Sequence, residues 1–94
     1  KVTDLTDGNH VERELMLIKV ATRSELVRAE VNRNVDIFRA QIIDVDLNNY
    51  TIQVTGTSDK LDAFANVLAQ STEIIEASRT GVCGLARGDK ALRP

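Results

Sequence analysis

An α+β fold, in which two helices cover one face of a four-stranded antiparallel sheet, is predicted by three features of the chain. Strand-like and helix-like stretches follow one another in the order strand, helix, strand, strand, helix, strand (βαββαβ). The run Leu15, Met16, Leu17, Ile18 is apolar without interruption, and successive side chains of a strand point to opposite sides, so this strand is expected to be central and covered on both faces. Tyr50, Ile52 and Val54 alternate with Thr51, Gln53 and Thr55, the pattern of a strand with one apolar and one polar face.

Each element has its own local reason. Val11 to Val20 forms the first strand. Thr22-Arg23-Ser24-Glu25 has the form of a capping box, in which Thr22 and Glu25 satisfy free amides at a helix start. Val27, Val31, Val35 and Phe38 then recur at helical spacing and give a stripe for the sheet. Ala40 to Val45 is the second strand, and Asn48-Asn49 is expected to turn the chain because asparagine tolerates positive φ. Gly56 breaks the third strand. Thr57 or Ser58 caps a second helix whose inner face carries Leu61, Phe64, Ala65 and Leu68. Ile74 to Ala77 is the fourth strand, and glycines 81, 84 and 88 punctuate a tight turn with a short returning strand near Val82 to Leu85. Two strand-helix-strand units joined by a hairpin make a ferredoxin-like sandwich with strand order 4-1-3-2.

Composition narrows the functional classes. A length of 94 residues predicts one domain, and scaling laws predict that folding buries only about 64% of the unfolded surface. With a core that thin, burial by self-association is physically reasonable. A formal net charge of -2 and only three aromatic residues (Phe38, Tyr50, Phe64) argue against a nucleic-acid module. No apolar run approaches the roughly 20 residues that cross a bilayer. A single cysteine, Cys83, precludes an internal disulfide and fits a reducing, cytoplasmic setting. Residues 1–10 read as a linker, 11–88 as the domain and 89–94 as a tail.

No convergent chemistry stands out. His10 is expected in a polar loop without a second histidine, Cys83 reads as a small buried residue, and Glu12 with Glu14 reads as a solvated pair. The spacing of the three C-terminal glycines forms no phosphate-binding motif. The apolar run is the informative feature: with both helices on one face, either Leu15 and Leu17 or Met16 and Ile18 point to the helix-free side, so these four residues mark a face for self-association or a partner. Arg79 and Arg87, in a basic C-terminal stretch, are candidate partner-contacting residues.

Four separated segments also carry a resemblance. They are Val11-Glu12-Arg13-Glu14-Leu15-Met16-Leu17-Ile18-Lys19-Val20, Ile37 through Val45, Thr55 through Phe64, and Arg79-Thr80-Gly81-Val82 through Arg87-Gly88-Asp89-Lys90. Together, in this order, they closely resemble the C-terminal half of the acetolactate synthase small-subunit family, of bacterial type. The resemblance implies a non-catalytic regulatory subunit in branched-chain amino acid biosynthesis, whose partner is a thiamine-diphosphate-dependent catalytic large subunit. It also implies a homodimer, an ACT-like fold, no cofactor held by this chain, and feedback inhibition by valine bound in an N-terminal ACT domain that these residues do not include. Lys1 to Leu5 would match the exit from that domain. The competing expectation is a free-standing ACT-like small-molecule-binding module, which the glycine-free connection Ala21 to Ser24 disfavours.

Overall fold

In a computed structural model, which describes residues 10–89, the elements are β1 (His10–Ala21), α1 (Glu25–Ile37), β2 (Gln41–Asp46), β3 (Asn49–Gly56), α2 (Ser58–Ser71), β4 (Ile74–Arg79) and β5 (Cys83–Ala86). The antiparallel sheet has the order β2-β3-β1-β4, with β5 also paired to β1. This is the predicted sandwich and strand order. The expected linker, apart from His10, and residues 90–94 of the expected tail lie outside the described residues.

The apolar periodicities place the core. Met16, Ile18 and Val20 of β1 and Ile52 and Val54 of β3 lie inside against Val31 and Val35 of α1 and Leu61, Phe64 and Leu68 of α2. Phe38 and Phe64 join the two helices, with ring centroids 5.0 Å apart and planes tilted by 50°. Full burial of side chains this size contributes roughly 1.5–3 kcal/mol each.

The helix ends differ in detail from expectation. Ser24, not Thr22, caps α1, its hydroxyl accepting from the Val27 N–H at 3.2 Å. Thr22 is instead fully buried, and its carbonyl accepts from Arg28 Nη1 at 2.8 Å. Thr57 caps α2 by accepting from the Lys60 N–H at 3.3 Å, which leaves the Ser58 hydroxyl for another partner. Helix α1 ends in a Schellman turn: the Ala40 N–H donates to the Val35 carbonyl at 2.9 Å, and the Arg39 N–H donates to that of Asp36 at 3.2 Å. Arg39 thereby takes φ 55°, the only positive φ of a non-glycine residue among those described.

Three further corrections concern the strands. The hairpin turns at Leu47 and Asn48 rather than at Asn48-Asn49, and no asparagine there has positive φ. His10 belongs to β1, opposite Ala86, and does not lie in a loop. Finally, β5 does not return. Thr80 bonds Leu15 through its N–H to the carbonyl at 3.0 Å, the chain kinks at Gly81 (φ 89°), and β5 continues antiparallel to β1 over His10 to Arg13. The 12 residues of β1 therefore pair with β3 and β4 in their C-terminal part and with β5 alone in their N-terminal part, which forms a two-stranded arm.

Candidate interaction surface

Strand alternation settles which residues of the apolar run face outward. Met16 and Ile18 are 2% and 1% exposed and belong to the core, so they offer nothing to a partner. Leu15 is half-buried and Leu17 is exposed; they lie on the helix-free face, opposite Thr55 and Gln53 of β3. Lys19 follows on the same face, opposite Thr51 and Glu76, and donates to Glu76 Oε1 at 3.2 Å. Asp44 of β2 pairs with Thr51 and so joins this row, and Leu17, Lys19, Asp44 and Glu76 line one shallow concavity.

The same face continues onto the arm. Val11 and Arg13 alternate in phase with Leu15 and Leu17, opposite Leu85 and Cys83, and these four arm residues line a second, mainly apolar groove. Cys83 is exposed rather than buried, because no layer covers β5. The sequence could not show the arm half of this strip, since Val11 and Arg13 meet Leu85 and Cys83 only through pairing of residues 70 or more positions apart.

Behind the junction of arm and sheet lies a cluster that sequence reading missed. Glu14, expected to be solvated, is 8% exposed. Its carboxylate accepts from Arg79 Nη2 at 2.7 Å, Ser58 Oγ at 3.2 Å and the Gly81 N–H at 3.1 Å. Arg79 Nη1 also donates to Asp62 Oδ1 at 2.5 Å. The bond from Arg79, followed by those from Ser58 and Gly81, outweighs desolvation and holds the Glu14 carboxyl below its ordinary value of 4.5. Arg79 is pushed up in turn, first by its bond to Glu14 and then by that to Asp62. The cluster ties β1, β4, the kink and the start of α2 together, so the Arg79 guanidinium is engaged within the domain. Arg87 is exposed and makes no ion pair among the described residues. Glu12 makes a separate contact, with its carboxylate 3.3 Å from His10 Nε2.

Among the described residues no group of three or more His, Cys, Asp or Glu is arranged to hold a metal ion. No helix there is long and apolar enough to cross a membrane.

Two helices on one side of an antiparallel sheet, with a partly apolar opposite face, define a ferredoxin-like α+β domain. Residues 13–88 match the family profile described as the small subunit of acetolactate synthase. The chain is 54% identical over 93 residues to the acetolactate synthase isozyme 3 small subunit of Salmonella typhimurium, covering 99% of this chain and 56% of that protein. It is 42% identical over 88 residues to the acetolactate synthase small subunit of Bacillus subtilis, covering 94% and 50%. The crystal structure of the acetolactate synthase small subunit from Thermotoga maritima superposes with a TM-score of 0.79 at 39% identity, over 93% of this chain and 52% of that one. The chain belongs to the acetolactate synthase small-subunit family, as its C-terminal domain. It spans about half the length of the curated relatives it matches.

Proposed function

We propose that the chain is the non-catalytic C-terminal domain of a cytoplasmic regulatory subunit. The subunit's partner would be a thiamine-diphosphate-dependent acetolactate synthase large subunit in branched-chain amino acid biosynthesis. In this reading the domain supports activation of the large subunit, while valine is sensed by an N-terminal ACT domain. The observation that carries the reading is the identity of 54% across 93 residues with a protein named as such a small subunit.

The local chemistry of the β1–α1 connection supports assigning valine to another domain. A free amino acid needs donors for its carboxylate and acceptors for its ammonium group beside a small apolar pocket. Here the Ser24 hydroxyl is committed to the helix cap, Thr22 is fully buried, and Arg23 pairs with Glu73 at 3.3 Å. These commitments also weigh against a free-standing small-molecule module.

The test is an acetolactate synthase assay of a cognate large subunit alone, with this chain, and with this chain joined to the N-terminal half of a relative. Valine-inhibited, elevated activity with the joined protein, and no valine inhibition with the chain alone, is expected. Valine inhibition conferred by the chain alone would overturn the reading.

A further inference from the structure

We infer that the arm opens as a unit of its own, hinged at Gly81 and latched to the sandwich by the two oxygens of the Glu14 carboxylate. Opening frees β5 and residues 10–13 while the sandwich stays folded. Because β1 begins in the arm, opening also re-aims the entry of the chain into the sandwich.

The arm brings no side chain to the core. Val11, Val82 and Leu85 are exposed, and no residue of 10–13 or 81–86 belongs to the buried cluster or to the apolar residues packed against it. A two-stranded ribbon without such packing is at best marginally stable in water, and a segment of that kind opens locally at far lower cost than the whole domain. Backbone pairing also lapses where the arm joins the sheet. β4 pairs with β1 as far as Arg79 opposite Met16, Thr80 donates its N–H to the Leu15 carbonyl at 3.0 Å, and pairing resumes only at Cys83 opposite Arg13. At the kink between them side chains take over. The Thr80 hydroxyl accepts from the Leu15 N–H at 3.1 Å, and the Glu14 carboxylate accepts from the Gly81 N–H at 3.1 Å.

Glu14 spans the hinge. On the sandwich side its Oε1 accepts from Arg79 at 2.7 Å and from Ser58 at 3.2 Å, and Arg79 is braced in turn by Asp62 of α2 at 2.5 Å. On the arm side its Oε2 holds the Gly81 N–H. A bridge of this form needs two acceptor oxygens on one group. A glutamine of the same shape has one, which serves the sandwich or the kink but not both. At Gly81 nothing lies within 4 Å of where a Cβ would be, so the φ of 89° is the only demand made on that residue, and the hinge has open space in which to move.

Amide hydrogen exchange of the full chain, followed residue by residue by NMR in rising sub-denaturing urea, tests this. In the wild type the slowest amides of residues 10–13 and 83–86 are expected to be about tenfold or more less protected than those of Ile18 and Ile52. Their exchange should be nearly independent of urea, because local opening exposes little surface. Glu14→Gln should speed exchange in the arm by a further tenfold or so, the worth of a hydrogen bond to a charged group, and leave it close to unprotected while Ile18 and Ile52 remain strongly protected. Gly81→Ala strains the hinge without touching a neighbour and should loosen the arm in the same way; it decides alone if Glu14→Gln does not fold. Arm amides that follow the urea dependence of Ile18 would show that the arm opens only with the whole domain and would overturn the inference. So would an arm whose protection is unchanged in either folded variant.

Discussion

Arg39 holds a left-handed backbone conformation, φ 55°, because the Schellman turn after α1 requires one there. That region costs an L side chain about 1 kcal/mol and costs glycine nothing, so Arg39→Gly should stabilise the domain by about 0.5–1 kcal/mol, read as a raised urea midpoint at unchanged slope. An unchanged or lowered midpoint would show that the arginine side chain compensates. Glu14 carries the clearest pH signature. Its folded-state pKa lies below 4.5, so its contribution to stability is fully present above that value and is lost as pH falls through the folded pKa. Thermal melts should show Glu14→Gln less stable than wild type near neutral pH, with the gap closing only as pH drops below 4.5. A gap independent of pH in that window would contradict the ionised cluster. Little of this was legible at the residue scale: Glu14 finds its partners at sequence separations of 44, 65 and 67, where no local pattern reaches. Likewise Thr22 and Ser24 are equally good caps by residue type, and only the burial of Thr22 beneath Arg28 decides between them.

At the scale of elements, the helices were readable because their apolar spacing and their burial have one cause. Val31, Val35, Leu61, Phe64 and Leu68 recur at the pitch that keeps them on the sheet side. Phe64 is fully buried against Phe38, and Phe64→Ala should cost about 3–5 kcal/mol in a chemical denaturation experiment. A loss below about 1 kcal/mol would mean that the helices are not packed as described. The strand pairing was readable in order, because the hairpin and the crossovers leave few topologies. The arm was not. Glycine at position 81 suggested a reversal, whereas its positive φ instead makes a kink that lets β5 continue along the edge of β1.

The whole molecule combines a one-sided core with a helix-free face on which Leu15 and Leu17 lie among polar groups, and the unbroken apolar run from Leu15 to Ile18 already carries that asymmetry. The sequence could not say which of those residues point outward, because either phase of the alternation is compatible with an unbroken run. The family, by contrast, was carried by segments in order along the chain, which local physics does not predict. We propose that this domain is an assembly part of an acetolactate synthase small subunit and that valine is sensed by another domain. Calorimetric titration of the isolated chain with valine tests it most directly. Binding no tighter than about millimolar is predicted, since the Ser24 hydroxyl, Arg23 and Arg28 are already committed to the backbone and to neighbours, and Thr22 is fully buried. Stoichiometric binding at micromolar valine would contradict the account and make this domain the sensor.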